Sequence, residues 1–165
     1  IPTNFIPAVE KGLQESLGQG PISGSHVVDV AVVVYDGKHH AVDSDEVSFK
    51  IAASHAFRDA FIKAKPALLE PIYHVIITVP EEFLGEVMGD LTSRRGRISG
   101  TSADGHFQVI EAEVPLAEMD RYATRLRSMS QGKGMHTQRL ERYDEVPHDL
   151  QARIAEQAEI GRAHV

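Results

Sequence analysis

The sequence predicts an α+β protein built in two parts, and three observations carry that reading. Stretches with apolar residues at i, i+4 spacing mark amphipathic helices, and short β-branched runs mark strands. Asp36-Gly37 and Asp104-Gly105 stand between such runs as hairpin turn signals. The order of elements then changes near Leu69-Glu70-Pro71, from α-β-β-α before it to β-α-β-β-α-β after it. Two domains follow from this, residues 1–70 and residues 71–165.

In the first part a helix is expected over residues 4–17, where Phe5, Val9, Leu13 and Leu17 share one face. Pro7 sits early in it, where a missing N–H costs least, and Gly18-Gln19-Gly20-Pro21 stops it. Residues 27–35 are rich in β-branched side chains and read as a strand, with 39–43 as its antiparallel return. Asp43, with Glu46 three residues on, resembles a helix start. The helix runs over 47–64, with Val47, Ile51, Ser54, Ala60 and Phe61 near one stripe, and Lys65-Pro66 ends it. Two strands alone make a marginal sheet, so this half is expected to pair with strands lying before Ile1.

The second part opens with a strand over 72–79. Pro80 starts a helix with Glu81 and Glu82 in its first turn and Arg94 and Arg95 in its last. That order complements the helix dipole, and Gly96 is placed as the cap. Phe83, Leu84, Val87, Met88 and Leu91 form its buried face. Residues 97–101 and 106–114 flank Asp104-Gly105 as a hairpin. Pro115 precedes a second helix with Leu116, Met119, Ala123 and Leu126 inward, broken by Gln131-Gly132-Lys133-Gly134. Residues 135–143 form a last strand, and 147–160 a terminal helix or tail. This order is that of the ferredoxin-like split βαβ fold, an antiparallel sheet with both helices on one face.

Composition narrows the function. With 42% hydrophobic and 25% charged residues, the chain has the balance of a folded protein rather than a disordered one. No apolar run approaches the ~20 residues of a spanning helix, so no membrane partner is expected. The absence of cysteine excludes disulfides, thiolate metal sites and cysteine nucleophiles. With no tryptophan and 6% aromatic residues, few platforms exist for stacking single-stranded bases. A net charge of −7 argues against a general nucleic-acid coat but leaves room for a local basic face. No signal peptide or transit sequence precedes the first helix, and a chain opening on Ile1 reads as a piece of a longer one.

Catalytic and cofactor motifs are missing. Gly132-Lys133 lacks both the upstream glycine and the following Ser or Thr of a P-loop, and no GxGxxG follows a strand. No cofactor is expected in these residues. Of 9 histidines, His39 and His40 are adjacent and point to opposite faces of a strand, and none shows HxxxH or HExxH spacing. Scattered surface histidines are the plain reading, with no metal and no catalytic residue. Ser25 lies in Gly24-Ser25-His26, a turn rather than a nucleophile elbow.

The basic residues are more informative. Arg94, Arg95 and Arg97 form one cluster, and Arg121, Arg125, Arg127, Lys133, Arg139 and Arg142 fall in a stretch with only Glu141 opposing them. Arg94 and Arg95 can simply complement a helix C-terminus. Two arginine clusters in one small fold point further, to a phosphate-facing surface, because guanidinium forks pair bidentately with phosphate. The turn Asp36-Gly37-Lys38-His39-His40 presents donors on an exposed tip, or is a plain solvated turn.

At these residues the sequence resembles the C-terminal part of bacterial elongation factor G, the ribosomal translocation GTPase, or one of its paralogues. The resemblance rests on Asn4-Phe5-Ile6-Pro7-Ala8-Val9-Glu10-Lys11-Gly12, Val28-Asp29-Val30, Tyr35-Asp36-Gly37 and Phe49-Lys50-Ile51-Ala52-Ala53-Ser54. It continues through Leu68-Leu69-Glu70-Pro71-Ile72, Gly89-Asp90-Leu91-Thr92-Ser93-Arg94-Arg95-Gly96-Arg97-Ile98, Val114-Pro115-Leu116, Tyr122-Ala123-Thr124 and Arg127-Ser128. It departs at Lys38-His39, where the family usually has Ser-Tyr, and at Lys133, where it usually has Arg.

The resemblance implies that residues 1–70 are the latter part of the family's domain IV, a partial ribosomal protein S5 domain 2-like fold, and that the remainder is its ferredoxin-like domain V. It implies a cytoplasmic ribosome partner. The domain IV tip, with Lys38, His39 and His40, reaches the small-subunit decoding region and tRNA–mRNA; domain V, through Arg94, Arg95 and Arg97, meets the large subunit's factor-binding RNA. GTP and Mg belong to an N-terminal domain of the family that is absent from this sequence. A paralogue serving ribosome recycling or protection, and a stand-alone RNA- or protein-binding module, are the other readings.

Overall fold

The structure, a computed structural model, describes residues 1–163; the last two residues of the second expected domain lie outside them. The described chain divides into two compact units, Ile1–Ala67 with the stretch from Pro147 onward, and Leu68–Val146.

In the first unit a single 3-10 turn, Thr3–Phe5, leads into α1 (Ile6–Gly18), with Pro7 in its first turn. The second helix, α2, spans Glu46–Lys63. Its cap is Asp45 rather than Asp43: the Asp45 side chain accepts from the Ser48 N–H at 2.6 Å, closing the three-residue loop that an N-cap requires. The buried stripe also differs from expectation. Phe49, Ala53 and Phe57 face inward, whereas Val47 and Ile51 are exposed. The reason is the approach of α1. Gly12 lies against the Lys50 carbonyl, where any Cβ would collide, so the helices meet on the Gly12 face. Ser54 Oγ donates to the Gly12 carbonyl at 3.1 Å, and Phe5 stacks on Phe49 with centroids 4.6 Å apart. Helix α5 (His148–Ala163) also belongs to this unit.

The expected hairpin over 27–43 does not form. Residues 25–40 carry no strand, and 41–43 make a turn. β-Branched side chains favour extended backbone, but a strand exists only through ladder bonds to a neighbour, and a lone hairpin gains too little to hold them. Val30, Val32 and Val34 instead line, with α2, an apolar cavity of about 670 Å³.

The second unit has the predicted order. β1 (Leu69–Pro80), α3 (Leu84–Ser93), β2 (Arg97–Asp104), β3 (Phe107–Pro115), α4 (Tyr122–Met129) and β4 (Met135–Glu145) build one antiparallel sheet of order β2-β3-β1-β4. Alternate residues Val75, Ile77 and Val79 of β1, and Ile110, Ala112 and Val114 of β3, face a core closed by Val87 and Leu91 of α3 and Leu126 and Met129 of α4. This is the ferredoxin-like arrangement.

The helix ends depart from expectation: Glu81–Phe83 form a 3-10 turn ahead of α3, and Arg94 and Arg95 follow its last residue, Ser93, rather than filling its last turn. Gly96 is not the left-handed residue after α3; Arg95 is, at φ 56°. The Gly96 N–H reaches the Leu91 carbonyl at 2.8 Å and Arg95 N–H the Thr92 carbonyl at 3.2 Å, a Schellman closure. Gly96 is needed because a Cβ there would strike the Leu91 carbonyl. The second helix is split: a 3-10 turn, Leu116–Glu118, precedes α4, and Arg121 at φ 53° separates them. The kink turns Tyr122 and Met129 inward, while Leu116 and Ala123 are exposed.

Candidate nucleic-acid interface

The tip of the first unit is a loop shaped by local hydrogen bonds. The Gly37 N–H donates to Asp36 Oδ1 at 2.7 Å, and the His40 N–H to Ser44 Oγ at 2.7 Å. His40 Nδ1 lies 3.4 Å from Asp43 Oδ2, and the histidine side chain is 71% exposed. That contact orients the ring and leaves Nε2 without a partner among the described residues. Lys38 and His39 are exposed beside it. Three donors thus stand together on a solvated loop, suited to phosphate or ribose hydroxyls.

Arg94 and Arg95 are placed differently. Arg94 Nε donates to Asp90 Oδ2 at 2.8 Å, its Nη1 donates to the Glu118 carbonyl, and the guanidinium lies 5.1 Å from the Tyr122 ring centroid. Arg95 makes a bidentate pair with Glu70, at 2.7 and 2.9 Å, and its Nε donates to Glu118 Oε1 at 3.0 Å. The Glu70 hydrogen bonds, chiefly, push the Arg95 guanidinium further up from its already high range. These two residues tie the end of α3 to the start of β1 and to the turn before α4. Arg97, by contrast, is exposed at the start of β2.

The longer basic stretch is not opposed by Glu141 alone. Arg125 faces Asp90, Lys133 faces Glu82, and Arg142 chelates Glu113 at 2.8 and 2.9 Å while also bonding Asp144. The Arg142 bonds hold the Glu113 carboxyl below its ordinary range. Glu82, Asp90 and Glu113 sit on other elements, so linear spacing hides them, whereas Asp144 stands two residues from Arg142 on β4 itself. Glu70, Asp90 and Glu118 were missed for that reason; only the i, i+4 spacing of Asp90 and Arg94 was a readable signal.

Known proteins match in the same two parts. The description "Elongation factor G, domain IV" fits residues 1–65, and "Elongation factor G C-terminus" fits residues 67–154. The chain belongs to the elongation factor G family. Its fold is similar to a solved structure of a Thermus thermophilus protein, titled "Crystal structure of ttk003000868", with a TM-score of 0.79 and 40% identity over 96% of this chain. This chain spans 24% of that one. Residues 1–65 therefore carry elongation factor G domain IV sequence and residues 67–154 its C-terminal domain, regions of a translation factor. Among the described residues no helix is long and apolar enough to cross a membrane.

Proposed function

We propose that this chain is the ribosome-engaging region of a cytoplasmic translational GTPase that moves tRNA and mRNA during protein synthesis. The observation that supports it is the match of two consecutive elongation factor G domains to nearly the whole chain. The chain performs no bond chemistry in this reading; GTP and Mg belong to a domain outside it. Lys38, His39 and His40 form the leading tip, with His40 Nε2 accepting from a 2′-hydroxyl in the decoding region of the small subunit, or donating to a phosphate when the ring is protonated. In the second unit Arg97 meets large-subunit RNA directly. Arg94 and Arg95, whose forks are engaged by carboxylates and a carbonyl, hold the turn that presents it.

The test is His40→Ala in the full-length protein, with tRNA–mRNA movement and ribosome-stimulated GTP hydrolysis assayed on one preparation. Movement is expected to slow while hydrolysis stays near normal. A collapse of hydrolysis with movement per GTP unchanged refutes the tip role. Normal movement with impaired subunit splitting reassigns the protein to recycling.

A further inference from the structure

The first unit also holds a cleft whose residues take no part in the tip loop. It has a volume of about 470 Å³ and lies between the end of α1 and the middle of α2. Ser16 and Gln19 stand on the α1 side, and Ser54, His55 and Arg58 on the α2 side, with the buried Phe57 as an apolar floor. At 100° per residue, Ser54, Arg58 and His55 fall within one arc of about 100° on α2. The loop leaving α1 is closed on itself: the Gly20 N–H donates to the Ser25 carbonyl at 2.9 Å, and the Gly24 N–H to the Gly20 carbonyl at 3.0 Å.

The two sides differ in polarity. Arg58 and His55 are exposed, and neither side chain has a hydrogen-bond or ion-pair partner among the described residues. No carboxylate lines the cleft, in a chain whose net charge is −7. Glu15, beside Ser16, is held by Lys50 at 2.7 Å, and Asp59, beside Arg58, stands outside the lining. The other side offers acceptors. Ser16 Oγ donates to the Gly12 carbonyl at 2.8 Å, and Ser54 Oγ to the same carbonyl at 3.1 Å. A hydroxyl has one proton, so with that proton committed each oxygen presents lone pairs. The C-terminal end of α1 adds the negative end of its dipole there.

An inorganic anion satisfies only one of these sides and fills little of the volume. A ligand with an anionic head and several hydroxyls satisfies both. The guanidinium fork takes two oxygens and leaves the imidazole N–H for a third, which a phosphate monoester has and a carboxylate lacks. The volume falls within the range of small-molecule sites.

We propose that the cleft between α1 and α2 binds a small sugar phosphate, with Arg58 and His55 on the phosphate and Ser16, Gln19 and Ser54 on the sugar hydroxyls. The site stands independently of the ribosome-engaging reading.

The test titrates the 165-residue chain with ribose 5-phosphate and follows backbone amides by two-dimensional NMR, with ribose and inorganic phosphate as separate arms. Saturable shifts are expected at Gly20 and at residues 54–58. Inorganic phosphate should bind at least about tenfold more weakly, and ribose more weakly still. Arg58→Gln removes charge-assisted bonds and should weaken ribose 5-phosphate binding about tenfold or more; His55→Ala should weaken it about threefold or more. Lys63→Gln, on α2 but outside the lining, should leave the affinity unchanged. All three positions are exposed, and the amide spectrum of each variant reports its fold directly. Absence of saturation, shifts centred on the second unit, or an affinity indifferent to Arg58→Gln overturns the site. Inorganic phosphate binding as tightly as ribose 5-phosphate overturns the sugar phosphate assignment. A short single-stranded RNA that shifts these amides where ribose 5-phosphate does not gives the cleft to nucleic acid, and overturns the proposal as well.

Discussion

The two units answer the same chemistry in opposite ways. Residues 27–35 and the strand β1 are both β-branched runs, yet β1 is paired on each side and the earlier run on neither. In β1, alternate side chains reach 0% exposure, as at Val75, Ile77 and Val79; in the earlier run Val33 is 78% and Tyr35 94% exposed. Among the described residues, the buried cluster of the second unit contains twelve residues drawn from strands and helices, and that of the first unit Val9, Phe49 and Ala53. β-Propensity is therefore a statement about neighbours. The same residues become a core strand or an uncovered loop according to what stands beside them.

Hydrogen exchange should break or sharpen this contrast most strongly. Amides of β1 and β3 bridge a four-stranded sheet and are expected to exchange about a thousandfold or more slowly than those of residues 27–35, which lack ladder bonds. Comparable rates in the two segments would show that the first unit acquires strand partners in solution.

Side-chain truncation gives the next effect. Leu91→Ala removes a fully buried group between α3 and the sheet and should cost ~2–5 kcal/mol in denaturant unfolding. Val33→Ala, at an exposed position, should change stability by less than about 0.5 kcal/mol. A large loss at Val33 would mean that the cavity beside α2 contributes to stability as a packed core does.

The smallest effect is a pH dependence of the second unit. Burial pushes the His136 imidazole below its ordinary 6.5, where it meets the Tyr122 ring edge-on at 5.2 Å. The folded unit then binds the proton less readily than the unfolded chain. The stability is fully present above 6.5 and declines as pH falls from there through the lowered folded value. His136→Gln should flatten the fall of the thermal midpoint as pH drops below 6.5. The Arg142 hydrogen bonds hold Glu113 below its ordinary 4.5, so the stability that this pair contributes is present above 4.5 and is lost as pH falls from there.

The sequence alone determined the element order of the second unit, because period-two apolar runs, Asp104-Gly105 and the helical spacing of Leu84, Val87, Met88 and Leu91 are local properties read within a few residues. It also determined family membership, since the matching blocks lie in order along the chain. It placed Lys38, His39 and His40 together, being consecutive. The tertiary structure alone decided which arginines are available. Arg95 and Arg97 are near neighbours in the sequence, yet one is chelated by Glu70, 25 residues away, and the other faces solvent. Arg121 and Arg142 read as members of one basic stretch until strand pairing brings Glu113 to Arg142 and leaves Arg121 exposed. Tertiary structure likewise chose Phe49, Ala53 and Phe57 over Val47 and Ile51 as the inner face of α2, because Gly12 admits the Lys50 carbonyl there. Local backbone preference acts through neighbours in the chain, whereas ion pairing and burial act through neighbours in space.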